Sequence, residues 1–207
     1  MKTILFQGDS ITDCTYPRQY PTELGNGYVT MTAGRITLDY PGKYQCFNRG
    51  ISGNRSVDMY ARIKKDVLNL KPDILTILIG VNDVWHEVAY QNGVSASKYE
   101  MILKLFIQEI QEELPECRIF LMEPFVLPGT ATQEHLEYFT AEVALRSEAC
   151  KRVAEEFGLP FLPLQEKISG LAAVTENAYV LHDGVHPMPA GHCLIADTLY
   201  EALKPVL

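Results

Sequence analysis

The chain has 207 residues, 47% of them hydrophobic, which is enough to bury a substantial core and is expected to make one domain over 1–207. Its formal net charge is −8 and it has no basic tract, which excludes a nucleic-acid partner held through its phosphates. No window approaches the length of uncharged apolar sequence needed to span a bilayer, so no membrane partner is expected.

Strand and helix signals alternate along the chain. Short apolar runs closed by Gly, Pro or Asn predict strands at Thr3–Gln7, Tyr44–Asn48, Asp73–Ile79, Arg118–Glu123 and Leu159–Leu162. Between the second and third, Arg55 to Leu70 reads as a helix. The clearest helix begins at Ser97, with Glu100 three residues on as a capping box. It carries Ile102, Leu103, Phe106, Ile107, Ile110 and Leu114 on one side until Pro115. Another runs from about Thr132 to Phe157 and stops at Gly158, a natural C-cap, and a last one covers Pro189 to Leu203. Such alternation implies a parallel sheet covered on both faces, because each parallel crossover needs a helix-length connection. No repeat, low-complexity segment or linker interrupts it.

Cys14, Cys46, Cys117, Cys150 and Cys193 are scattered, odd in number and without Cys-x-x-Cys spacing, so neither a disulfide framework nor a zinc knuckle is indicated. Reduced thiols fit a cytosol. Met1-Lys2-Thr3 leads into an apolar run too short for a signal peptide, so a cytoplasmic location is expected.

Four polar motifs carry the chemistry. Gly8-Asp9-Ser10, Asn48-Arg49-Gly50-Ile51-Ser52-Gly53-Asn54 and Gly80-Val81-Asn82-Asp83 follow strand-like runs, and Asp183-Gly184-Val185-His186-Pro187 lies near the other end. In a parallel sheet all four gather at the carboxyl edge, where open α/β folds build their crevices. A Gly-Asp-Ser turn can equally cradle a phosphate, but Gly-x-x-x-x-Gly-Lys-Ser/Thr is absent and Gly25-Asn26-Gly27 lacks a third glycine and a preceding strand. Ser10 as nucleophile needs a base, and the base needs a carboxylate to fix its tautomer; His186 and Asp183 supply both. The Ser10 and Gly53 N–H groups and the Asn82 side chain are donors for a developing oxyanion. Read singly, Asp183, Gly53 and Asn82 are equally ordinary turn residues, and only their joint occurrence favours chemistry.

A metal site competes for one segment, where His182, His186, His192 and Cys193 crowd together. The glycine-containing stretch before Pro187 removes the one-face helical presentation of a His-x-x-x-His pair, and no Glu accompanies it. No metal or other cofactor is therefore expected, and His192 is read as structural.

Within these blocks Ser10, Gly53, Asn82 and His186 resemble, in order, the four marker residues of the SGNH (GDSL) hydrolase superfamily. Gly-Asp-Ser-Ile-Thr-Asp-Cys at 8–14, Gly-Val-Asn-Asp-Val-Trp at 80–85 and Gly-Val-His-Pro at 184–187 are similar to the intracellular acetylxylan esterases of that superfamily. The resemblance implies a three-layer α/β/α, flavodoxin-like fold with five parallel strands and a metal-free Ser-His-Asp esterase. The expected partner is a small ester or acetylated oligosaccharide, and a homo-oligomer stays open. A lysophospholipase or thioesterase of the same superfamily, or a sugar-binding module without turnover, are the alternatives. For the substrate, Trp85 is either an acyl-pocket wall, a sugar platform or core, while Phe125, Tyr16 and Tyr20 are placed at the rim.

Overall fold

Five parallel strands pair in the order β2-β1-β3-β4-β5 in the computed structural model, which describes residues 1–15 and 23–207. They are β1 (Lys2–Gly8), β2 (Tyr44–Gly50), β3 (Ile74–Leu78), β4 (Arg118–Met122) and β5 (Phe161–Leu162). Each lies where an apolar run predicts a strand. The order is the doubly wound one whose direction reverses between β1 and β3.

Both faces of the sheet are covered, so its strands are nearly continuously apolar. Ile4 and Phe6 of β1 point into one core and Leu5 into the other. The first core is closed by α2 (Tyr28–Asp39) and α9 (Pro189–Leu203), the second by α3 (Ser56–Ala61) and α5 (Ala96–Glu113). The long α6 (Leu136–Phe157) serves both, with Phe139 and Val143 in one core and Cys150 and Val153 in the other. The remaining helices are α1 (Ser10–Asp13), α4 (Val81–Tyr90), α7 (Gln165–Val174) and α8 (Asn177–Val180). No helix of the described residues is long and apolar enough to cross a membrane.

Helix ends depart from expectation in three places: first, α6 begins at Leu136, behind a 3-10 turn at Gln133–His135, rather than at about Thr132. α5 is capped by Ser95, not Ser97: Ser95 is still extended, and its Oγ accepts from the Lys98 N–H at 3.4 Å. The third helical position after that cap is Lys98, so no capping box forms, and Glu100 pairs with Lys104 and Arg152. The helix expected over Arg55 to Leu70 breaks after Ala61 and continues as a π-helical turn at Lys64–Leu68. By contrast α9 has its expected bounds, with Pro189 at its first position, and α6 ends on Gly158 in the left-handed conformation.

The strand ends carry a steric constraint. Gly8 and Gly50 stand opposite one another in register, and α1 passes directly over them. A Cβ on Gly50 would lie 2.3 Å from the Asp13 nitrogen. Gly50→Ala is therefore expected to lower the unfolding free energy by about 1–3 kcal/mol through overpacking. Gly34→Ala, inside α2 where a Cβ meets nothing within 4 Å, is expected to raise it by about 0.5–1 kcal/mol. Urea denaturation of the two variants checks the contrast, and equal destabilisation would show that the close approach of α1 is not the cause.

Candidate active site

The turn from β1 into α1 is held by its own capping. Asp9 Oδ1 accepts from the Ile11 N–H at 3.0 Å, and Cys14 closes the turn with φ 36° by donating its N–H to the Ser10 carbonyl. Ser10 occupies the first helical position, where an N–H has no acceptor inside the helix. Asn48, fully buried in β2, fastens this turn to its neighbours. Its Nδ2 donates to the Thr12 and Leu24 carbonyls at 2.6 and 2.8 Å, and its Oδ1 accepts from the Gly50 N–H at 2.8 Å.

The β2 loop is tied down from both sides. Asp13 Oδ2 accepts from the Ser52 N–H and hydroxyl, each at 2.9 Å. Arg62, at the end of α3, donates to the Gly8 and Arg49 carbonyls at 3.1 and 2.8 Å and to Asn54 Oδ1 at 2.7 Å, and pairs with Asp66. Between these ties Gly53 turns the chain at φ +80°, which favours glycine. The Asn82 amide donates to the Asn54 carbonyl at 3.1 Å, using one of its two protons and joining the β3 exit to the β2 loop. The buried Asp83 reinforces that joint by accepting from the Ser56 N–H at 3.0 Å and from the Ser56 hydroxyl.

The fourth motif is a tight loop closed by an antiparallel bridge between Leu181 and Pro187. Asp183 Oδ1 accepts from the Val185 and His186 N–H groups at 2.9 and 2.8 Å, and its Oδ2 lies 2.7 Å from His186 Nδ1. His186 Nε2 is 2.9 Å from Ser10 Oγ. The ionised carboxylate can only accept, so Nδ1 carries the ring proton and Nε2 offers a lone pair to the serine O–H. The loop is pinned by Leu127 N–H to the Gly184 carbonyl and Ala131 N–H to the Asp183 carbonyl, both at 2.9 Å. Gly129 permits this approach, since a Cβ there would fall 2.2 Å from the Asp183 carbonyl carbon.

Electrostatics follow from these contacts. Burial pushes the Asp183 carboxyl upward, but the His186 ring and the two backbone N–H groups outweigh it and hold it well below the usual carboxylate range. The Asp183 hydrogen bond raises His186 above the ordinary imidazole value. Burial lifts Asp9 and Asp83 to about 7 each, against the hydrogen bonds they accept. Burial lowers His192 to about 4, helped by the charge of His186.

Ser10, Asp183 and His186 are thus linked in one hydrogen-bonded chain, while Gly53 and Asn82 meet through Asn54 on the loops that flank it. Trp85 does two things at once: it packs edge-on against Phe139 at 6.2 Å and places its ring 5.8 Å from that of His186. Phe125 is a correction, being 1% exposed in the core rather than at the rim, because its side chain fills the first core beneath the loop. Tyr16 and Tyr20 lie outside the described residues. His192 accepts from the Tyr28 N–H through Nδ1 at 3.2 Å, so Nε2–H points at Cys14 Sγ, 3.4 Å away, and the ring ties α9 to the α1 turn. Among the described residues, the side chains with ligand atoms close enough to share a metal are His182, Asp183 and His186, without His192 or Cys193. Asp13, Asn48, Arg62 and Asp83 position the loops although no role is read for them in the sequence; Asp13, Asn48 and Asp83 lie inside the motifs, and Arg62 does not.

Comparison with known proteins places these residues in context. The model of the GDSL-like lipase/acylhydrolase family matches residues 6–194. An acetylxylan esterase of Geobacillus stearothermophilus is 33% identical over 202 residues, covering 93% of this chain and 90% of its own. The crystal structure of that esterase superposes with a TM-score of 0.86 at 31% identity, over 99% of this chain and 94% of its own. A Parabacteroides merdae protein assigned as a GDSL-like lipase superposes with a TM-score of 0.93 at 34% identity, over 98% and 95%. Catalytic mutants of the Geobacillus enzyme replace a serine, an aspartate or a histidine, and a tryptophan precedes that aspartate.

The ring environments are separately measurable. In metal-free buffer, NMR titration should show His186 protonating above the ordinary imidazole value and His192 staying neutral until about pH 4. Asp183→Asn should bring the His186 midpoint down, since the neutral amide no longer stabilises the charged ring. A His186 midpoint unmoved by that substitution would mean that the Asp183 contact is not what raises it.

Proposed function

The chain belongs to the GDSL-like lipase/acylhydrolase family and is a carboxylic ester hydrolase; from that premise we propose that it removes acetyl groups from carbohydrate, without a metal, through Ser10, His186 and Asp183. One observation carries the reading: Asp183, His186 and Ser10 are joined at 2.7 and 2.9 Å with the imidazole lone pair facing the serine hydroxyl. The catalytic aspartate and histidine of the Geobacillus esterase have the same spacing as Asp183 and His186.

In this mechanism Ser10 Oγ attacks the acetyl carbonyl while His186 Nε2 takes its proton, and Asp183 stabilises the imidazolium that forms. The negative charge reaching the carbonyl oxygen is met by the Ser10 and Gly53 N–H groups and the second amide proton of Asn82. Collapse of the tetrahedral intermediate expels the sugar hydroxyl, which receives the His186 proton. Water then releases acetate from Ser10 by the same steps in reverse.

Two features support a small acyl group and a soluble alcohol. Trp85, braced by Phe139, stands beside His186, where it can wall the acyl group. The similar Geobacillus enzyme is an acetylxylan esterase. Five free thiols fit work in a reducing compartment such as the cytoplasm.

Ser10→Ala should cost on the order of 10⁴-fold or more in kcat with the fold retained by circular dichroism, and His186→Ala should match it. Near-native turnover by purified Ser10→Ala would remove Ser10 from the chemistry. Asn82→Ala should lower kcat by about 10²–10³-fold with little change in KM, because its donor matters once charge develops. A change confined to KM would move Asn82 to ground-state binding.

Acyl preference is the direct test of substrate class. Rates on chromogenic esters should fall steeply from acetate to octanoate, since overfilling a packed pocket costs about 1–3 kcal/mol. Trp85→Ala should flatten that profile, and acetylated xylose oligomers should release acetate without detergent. Faster turnover of octanoyl esters or lysophospholipids than of acetyl esters would replace the acetyl reading by the lipid one.

A further inference from the structure

We infer that His182, Asp183 and His186 form a zinc-binding site whose occupation switches the esterase off. One ligand atom from each lies within 4.8 Å of the others. Asp183 Oδ2 is shared: it is 2.7 Å from His186 Nδ1 and 3.7 Å from His182 Nε2. Tetrahedral zinc with bonds of about 2.0–2.2 Å sets neighbouring ligand atoms roughly 3.3–3.5 Å apart, a spacing that these two distances bracket. Rotation of the side chains is needed to bring the three atoms, all within 4.8 Å of one another, onto one ion.

The tautomer of His182 gives the cluster a reason to take a cation. Its Nδ1 lies 3.3 Å from the His186 carbonyl, which can only accept, so in the neutral ring Nδ1 carries the proton and Nε2 a lone pair. That lone pair faces the Asp183 carboxylate, acceptor against acceptor, with its ring stacked on His186 at 5.8 Å. A backbone carbonyl holding the far nitrogen of an imidazole is the arrangement that orients histidine on a metal. The His182 side chain is 56% exposed, leaving an entry path and room for water at the remaining position. Imidazole with carboxylate suits zinc.

The consequence for the reaction is a proton in the wrong place. Zinc binds His186 Nδ1 through that nitrogen's lone pair, and the proton it carried moves to Nε2. The ring stays neutral with the same single proton, and Asp183 Oδ2 exchanges a hydrogen bond for a metal bond. Nε2–H then donates to Ser10 Oγ, and nothing remains to accept the serine proton. This inhibition rests on the proposed roles of Ser10 and His186, whereas zinc binding does not.

The test uses the wild-type protein, His182→Trp, which keeps an aromatic ring over His186 and is the residue of the Geobacillus enzyme, and His182→Gln, all freed of metal by chelator. Competition with a chromogenic zinc chelator should show one more equivalent bound by wild type than by either variant, and Ser10→Ala should bind it like wild type. Hydrolysis of an acetate ester, relative to each protein's own zinc-free rate, should be lost on adding zinc and restored by chelation. The inhibiting concentration should rise at least about tenfold in both variants, since even outer-shell changes cost that much. Equal binding or equal sensitivity in wild type and variants would place the zinc elsewhere and overturn the site. An equivalent bound through His182 with the rate unchanged would overturn the switch, while turnover persisting in Ser10→Ala would instead refute the role of Ser10.

Discussion

The hydrogen bond from His186 Nδ1 to Asp183 Oδ2 decides what the rest of the site can do. An imidazole has one proton and two nitrogens, and a carboxylate at one of them leaves a lone pair at the other. Because Asp183 is itself held by two backbone N–H groups and stays ionised, it accepts from Nδ1 and leaves the proton there. Ser10 therefore meets an acceptor rather than a donor. Everything else in the loop, from the Gly129 close approach to the Leu181–Pro187 bridge, keeps that one contact in register.

The same contact explains why a metal would be so damaging here. A proton and a zinc ion compete for one nitrogen, and the loser's position is passed to the other side of the ring. An exposed histidine stacked on His186 turns a two-atom proton site into a three-atom cation site.

Around Ser10 the work is done by backbone carbonyls and buried polar side chains. Asn48, Asp13 and Arg62 tie the exits of β1 and β2 together, and Asn82 with Asp83 joins the exit of β3 to them. The strand order sets which loops can meet. With β2 and β3 on either side of β1, their loops flank the Ser10 turn, at the point where the winding of the sheet reverses.

Much of this was legible in the one-dimensional pattern. Apolar runs closed by Gly, Pro or Asn are local signals, and all five strands follow them; the Ser10, Asn82 and Asp183–His186 motifs are local too, because each lies within a single turn. Gly158 and Pro189 mark helix ends by backbone preference alone. Other features depend on partners remote in sequence. Glu100 pairs with Arg152 from α6 rather than with a cap, and Phe125 is core because a loop after β4 folds inward. Arg62 sits in a broken helix with nothing local to mark it, and Gly129 matters only through a segment more than fifty residues away. Periodicity and turn chemistry act through the chain's own neighbours, whereas these contacts require two segments to be brought together first, and only the packed sheet does that.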